Sequence, residues 1–136
     1  MGDRGNIAIK QSSGQVWLYS HWAGYTLPAR LRAALARQQR WDDEAYLARI
    51  IICEAIPEKH IKDETGFGIS TCMQDNEYSI LVVDIPKQRV FIMPEDALKD
   101  RQIPADYEPA AAFTFEQYAD LGAEVDWDRL EQPVTV

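Results

Sequence analysis

Apolar and polar residues alternate through Asn6–Lys10, stop at Ser12-Ser13-Gly14, and alternate again through Gln15–Trp22. Side chains point alternately across a strand, so this period of two predicts a β-hairpin. On its second strand Val16, Leu18, Ser20 and Trp22 share one face, while Trp17, Tyr19 and His21 share the other. Both faces carry aromatic groups, so one of them must be exposed or covered by another part of the chain. Gly24 breaks the strand, Thr26 offers an N-cap hydroxyl, and Pro28 suits a first helical turn. Leu27, Leu31, Ala34 and Leu35 then recur at helical spacing and predict a helix over about 27–39, with Arg30 and Arg37 on the neighbouring stripe.

Asp42-Asp43-Glu44 suits the start of a second helix, where carboxylates meet unpaired N–H groups, and Pro57 ends it. Leu47, Ile50, Ile51 and Glu54 fall on one face of that helix. A charged connection over 58–66 leads to three more strands. Phe67–Met73 alternates, Tyr78–Ile85 is continuously apolar as in a strand covered on both sides, and Arg89–Met93 closes a hairpin with it across Pro86-Lys87-Gln88. The expected fold is α+β: a five-stranded, mainly antiparallel sheet in ββααβββ order, with two helices on one face. Beyond Pro94 the pattern predicts short helices near 95–101 and 115–121, then an acidic, poorly ordered tail. The expected domain therefore spans residues 1–123, with 124–136 as the tail.

The 136 residues match the size of one domain, and 46% hydrophobic content is enough for one core. No apolar run approaches the ~20 residues of a membrane-spanning helix, and the polar start shows no leader pattern. A cytoplasmic protein with no membrane partner is expected. Cys53 and Cys72 lie in apolar runs without C-x-x-C spacing and read as small buried hydrophobes. With His21 and His60 as the two imidazoles and no paired Cys/His pattern, neither a metal site nor a cofactor is expected.

Charge divides the chain. The net charge is −8, yet residues 1–41 carry six basic side chains against Asp3, while residues 94–136 carry eleven acids against Lys99, Arg101 and Arg129. Such polarity bears on partners rather than on fold. The basic end includes the aromatic string Trp17–Tyr25. Aromatic faces stack on planar ligands, His21 can bond a phosphate or carbonyl, and arginines add bidentate contacts. Trp17, Tyr19, His21, Trp22, Tyr25, Arg30 and Arg37 are thus the candidate binding residues for a small anionic, nucleotide-like ligand.

No catalytic residue is expected. Ser20 and His21 point to opposite faces of a strand, and no nucleophile elbow is present. Glu54, a candidate acid/base group with His21 for nucleotide hydrolysis, is better read as an ion-pair partner of Arg30 or Arg37. Asp75-Asn76-Glu77 lacks the spaced ligands of a calcium loop and reads as an Asx-type turn. Gly68 reads as a place where backbone or an aromatic ring approaches closely.

Gly5-Asn6-Ile7, Leu18-Tyr-Ser-His-Trp-Ala-Gly24, Arg40-Trp-Asp-Asp43, Tyr46-Leu-Ala-Arg-Ile-Ile51, Gly66-Phe-Gly-Ile69 and Asp75-Asn-Glu-Tyr78 together cover most of residues 5–85. This pattern resembles a group of small uncharacterised proteins of actinobacteria and their phages. The resemblance carries over no catalytic residue. It implies a phage setting, in which small non-enzymatic proteins act against host defence. One expectation is a sponge that sequesters a cyclic or related nucleotide signal. The alternative is an acidic, nucleic-acid-mimicking inhibitor of a host defence protein. A homo-oligomer would account for an aromatic face left uncovered in one copy.

Overall fold

The computed structural model of the chain describes residues 2–58 and 66–132. Most of the charged connection read at 58–66, including His60, lies outside them. β1 (Gly5–Gln11) and β2 (Gly14–Ser20) form the expected hairpin, with Gly5 opposite Ser20 and Gln11 opposite Gly14. The second strand stops two residues short of Trp22. α1 (Leu27–Ala36) starts with Pro28 in its first turn, but Thr26 makes no side-chain cap bond. Its hydroxyl donates to the Ala23 carbonyl instead and accepts from Arg30. α2 (Glu44–Ala55) is capped as the sequence indicates, the Asp43 carboxylate accepting from the Tyr46 N–H.

The sheet differs from expectation in count and order. β3 (Phe67–Ser70), β4 (Ile80–Asp84), β5 (Arg89–Met93) and a two-residue β6 (Phe113–Thr114) complete six strands in the order β3-β2-β1-β4-β5-β6. β1 and β4 pair in parallel, Ile7 against Leu81, so the sheet is mixed. The physical reason is a crossover. β3 adds to β2 on one side of the first hairpin and β4 adds to β1 on the other. Local periodicity is blind to that choice, because both placements bury the same faces. The connection 71–79 must therefore pass over β2 and β1.

Helices cover one face. Ile7, Ile9, Leu18, Leu81 and Val83 meet Leu31, Leu35, Leu47, Ile50 and Ile51 in the larger core. Full burial of each such side chain contributes roughly 1.5–3 kcal/mol. The other face is covered without helices: Ala8, Trp17, Val82 and Phe91 lie under Met73, Leu98, Ile103 and Tyr107 from the irregular chain after β3 and β5. The helix expected near 95–101 is only a 3-10 turn at Glu95–Ala97. Pro94 and Pro104 bracket it, and the chain beyond crosses the sheet as turns and irregular coil, with a Lys99–Gln102 bridge closing one turn. No helix among the described residues is long and apolar enough to cross a membrane.

Part of the expected acidic tail packs into the core. After α3 (Phe115–Ala119), with its Thr114/Gln117 capping box, α4 (Trp127–Glu131) packs Trp127 and Leu130 into the helix layer, and Val125 joins them. Residues 133–136 lie outside the described part. The two cysteines are not buried as expected: Cys53 is exposed on the outer side of α2, and Cys72 is half-buried beyond the end of β3. The helical phase that turns Ile50 and Ile51 inward turns Cys53 out.

Candidate functional site

Strand parity places the expected binding residues in different environments. Trp17 is fully buried on the non-helical face, its indole N–H donating to Gln15 Oε1 at 3.1 Å, and it presents no surface to a ligand. Tyr19 follows on the same face and its hydroxyl meets His21 Nδ1 at 2.8 Å. The His21 ring stands edge-on to Trp22, with centroids 4.9 Å apart. Trp22 and Tyr25 are 55% and 58% exposed. Tyr19, His21 and Trp22 thus form a contiguous ledge at the end of β2, and Tyr25 is exposed in the turn that follows, its N–H donating to Asp3.

Two glycines shape this ledge. Gly66 has φ +81, and a Cβ there would lie 2.5 Å from the Trp22 ring. A Cβ on Gly24 would lie 2.7 Å from the Asp3 carbonyl oxygen and 2.9 Å from the Tyr78 ring. Gly68 shows no such approach: a Cβ there would meet the Tyr19 ring at 3.9 Å, an ordinary van der Waals contact, against the close approach expected from the sequence.

The expected cations are committed elsewhere. Arg30 Nε donates to Thr26 Oγ1 at 2.7 Å and its Nη1 to the Ala55 carbonyl at 3.1 Å, and burial lowers its pKa. Arg32 donates to the Ala119 carbonyl at 2.8 Å. Arg37 pairs with Glu54 at 3.3 Å, the ion pair read from the sequence. Glu54 is held on the helix layer by Arg37, and His21 on the sheet by Tyr19. The structure does not assemble them as an acid/base pair.

What stands beside the ledge is acidic. The crossing loop runs over Asn6, which is fully buried and grips it: Asn6 Nδ2 donates to the Asp75 carbonyl and to Asn76 Oδ1, and Asn6 Oδ1 accepts from the Gln74 N–H. Asp75-Asn76-Glu77 is thus a bend anchored from below by Asn6, and the Asx-type turn expected there does not form: the Asn76 amide donates to the Tyr78 carbonyl, and neither the Asp75 nor the Asn76 side-chain oxygen accepts from the backbone two residues on. Glu77 pairs with Arg4 through the backbone in one direction and through its carboxylate, at 2.8 Å, in the other. Asp3 accepts from the Tyr78 hydroxyl and from the Tyr25 N–H at 3.1 Å. Glu95 accepts from Asn76 and Glu131 from Ser79, each at 3.1 Å. Five carboxylates from four segments distant in sequence therefore gather on one loop. Among the described residues none of the five is in a salt bridge.

The phenols register this field. Burial, then Asp75 and Glu77, raises the Tyr19 pKa against the opposing charge of Arg4. Burial, then the hydrogen bond to Asp3, pushes Tyr78 up to about 12. A phenol whose pKa is raised by folding stabilises the fold fully below its unfolded value near 10. That contribution fades as pH rises from about 10 through about 12. Tyr78→Phe should remove this component: the gap in melting temperature between wild type and variant, followed by circular dichroism, should be constant to pH 9 and shrink above pH 10. A gap independent of pH up to 12 would contradict the assignment.

Sequence reasoning missed Asp3, Arg4, Asn6 and Tyr78 because their contacts span some 70 residues of chain. The one local signal was the clustering of Asp75 and Glu77. A separate cleft of about 600 Å³, lined by Gln38, Arg40, Trp41, Asp42, Asp43 and Gln88, lies at the other end of the sheet, where the β4–β5 turn meets the α1–α2 connection. Gln88 bridges its two sides by donating to Asp42 at 2.8 Å.

The fold and ledge define a mixed-sheet α+β protein with an acidic, aromatic-bearing surface. No family model, no curated protein and no solved structure matches the chain.

Proposed function

We propose that this chain is a non-enzymatic binding protein that docks a basic partner on the surface around the 74–79 loop. Trp22 and Tyr25 are its anchors, and Asp3, Asp75, Glu77, Glu95 and Glu131 frame them. The observation that carries this reading is the gathering of five carboxylates beside two exposed aromatic side chains, with Arg4 as the cation among them. Aromatic anchors supply binding energy, while surrounding charge supplies steering and selectivity. The resemblance to phage proteins makes a nucleic-acid-binding host defence protein the partner class of first choice, since such a protein carries a basic surface.

A basic peptide tests the surface directly. Calorimetric titration with an oligoarginine peptide should give binding that weakens with salt. Asp75→Lys with Glu77→Lys should weaken it at least tenfold, and so should Trp22→Ala. The control pair Glu116→Lys with Asp120→Lys, exposed on and just after α3, should change it less than twofold. Equal losses from both charge-reversal pairs would mean that only net charge matters, and the reading would fail.

A second reading keeps a small anionic, nucleotide-like ligand on the same ledge, with Arg4 in the role expected of Arg30 and Arg37. Its support is that Arg4 Nε is buried with no hydrogen-bond partner among the described residues. A nucleotide that raises the melting temperature of the wild type but not of Arg4→Ala would favour it, because ligands that bind only the native state stabilise it.

A further inference from the structure

The cleft between the β4–β5 turn and the α1–α2 connection has a volume of about 600 Å³, well within the usual range of small-molecule sites. Its walls are built on an unfavourable backbone. Gln38 stands just past the C-cap of α1 with φ 54°, its N–H donating to the Leu35 carbonyl, and Gln88 closes the β4–β5 turn with φ 49°, its N–H donating to the Ile85 carbonyl. Glycine is the usual residue at both kinds of position, because it takes a left-handed backbone without steric cost. Arg40 adds φ 60°, so three of the five described non-glycine residues with positive φ line this one cleft. Two glutamine side chains are thus kept, on separate turns, where glycine would relieve the backbone. Strain gathered in this way is characteristic of ligand sites.

The lining identifies the class of ligand. Apart from Trp41 it consists of planar polar groups: the Arg40 guanidinium, the Asp42 and Asp43 carboxylates and the two glutamine amides. The guanidinium and the Trp41 indole N–H only donate, and the carboxylates only accept. That indole N–H is buried with no acceptor among the described residues. An anion would meet Asp42 and Asp43, and a cation would meet Arg40. Hydroxyl groups suit both, since each donates and accepts without carrying charge. The Trp41 ring, held edge-on to Phe115 with centroids 5.5 Å apart, adds the one apolar surface, which the C–H face of a sugar ring requires. A second depression of about 310 Å³ shares Trp41, Asp42 and Gln88 and runs on to Ser12 and Pro86, so the groove is longer than one ring. We propose that it binds a neutral saccharide of two or more rings, with Gln38, Arg40 and Gln88 as hydrogen-bonding side chains and Asp42 oriented by Gln88 at 2.8 Å.

Saturation-transfer difference NMR of the whole chain with maltose, cellobiose and diacetylchitobiose tests this. At least one of these neutral disaccharides should bind saturably in the millimolar range. Gln38→Gly and Gln88→Gly should each weaken that binding at least fivefold without lowering the melting temperature, since glycine relieves the positive φ. Asp75→Lys with Glu77→Lys, at the other end of the sheet, should bind the sugar as the wild type does, which separates this site from the docking surface. No saturable binding of any of the three sugars overturns the proposal. So does a sugar held equally well by both glycine variants, or inorganic phosphate bound in the cleft more tightly than any of them. A lower melting temperature in both glycine variants would place the glutamines in the service of the fold, and overturns it too.

Discussion

Trp127→Ala is expected to destabilise the fold by about 3–5 kcal/mol, the usual cost of truncating a large buried aromatic side chain. Three contacts place it in that range. Trp127 is buried in the helix-layer core, its ring stacks on Tyr78 with centroids 5.0 Å apart, and its indole N–H donates to the Gly24 carbonyl at 3.0 Å. The Gly24 carbonyl has no indole to bond once Trp127 is gone, and Tyr78 loses the ring that holds it against Asp3. The loss should therefore extend to the ledge. Chemical denaturation should show the drop in midpoint, and the tyrosine near-ultraviolet signal should weaken before global unfolding. Trp127→Phe restores the ring without the N–H and should recover more than half of the loss. A truncation after residue 123 should be no better than Trp127→Ala. Were it fully stable, α4 would be dispensable and the domain would end at 123.

The stretch 124–132 looked like a tail because it is acidic and short of apolar residues: Glu124, Asp126, Asp128 and Glu131 dominate it. Yet Val125, Trp127 and Leu130 lie on one side of it and are the residues buried. Composition averaged over the segment hid a helix of one and a half turns with an Asp126 cap. The hairpins, α1 and α2 were legible because each is a local pattern: period two broken by Ser-Gly or Pro, period 3.6 bounded by Asp43 and Pro57. The central parallel pair was not legible. A nearly continuous apolar strand such as Ile80–Asp84 fits the middle of many sheets, and its neighbour is decided by a crossing loop that residues distant in sequence, Asn6 and Arg4 among them, hold in place.

The candidate site divides in the same way. Tyr19, His21 and Trp22 meet in space because they follow one another along the end of β2, and Tyr25 lies in the turn beyond them. The sequence assigned them an anion because six basic residues lie in the same third of the chain. In three dimensions Arg30 and Arg37 serve the helix layer, and the charges nearest Tyr19 and Tyr25 include Asp3, Asp75 and Glu77, with Glu95 and Glu131 on the same 74–79 loop. Charge near in sequence and charge near in space have opposite signs here. A reading of the partner therefore has to start from the folded surface.

Arg89→Ala is the other substitution expected to cost about 3–5 kcal/mol, by leaving a buried charge without its partner. Asp84 ends β4 at 1% exposure, and Arg89 begins β5 directly opposite it, donating from Nε at 2.9 Å. The same guanidinium reaches Glu108 at 3.4 Å and lies 5.4 Å from the centre of the Phe91 ring. It thereby ties the extended segment after β5 to the non-helical face. The Glu108 contact is exposed and adds little, so Glu108→Ala should leave the denaturation midpoint close to that of the wild type. Asp84 is the group that suffers, because its carboxylate stays buried when the guanidinium goes. Replacing both partners, Asp84→Leu with Arg89→Leu, removes the buried charge as well as its counter-ion. Denaturation of the pair should then show a loss well below that of Arg89→Ala alone. A double variant as unstable as Arg89→Ala would instead place the cost in the lost packing of the arginine stem over Phe91. A fully recovered one would show that the pair contributes register, aligning β4 with β5, rather than net stability.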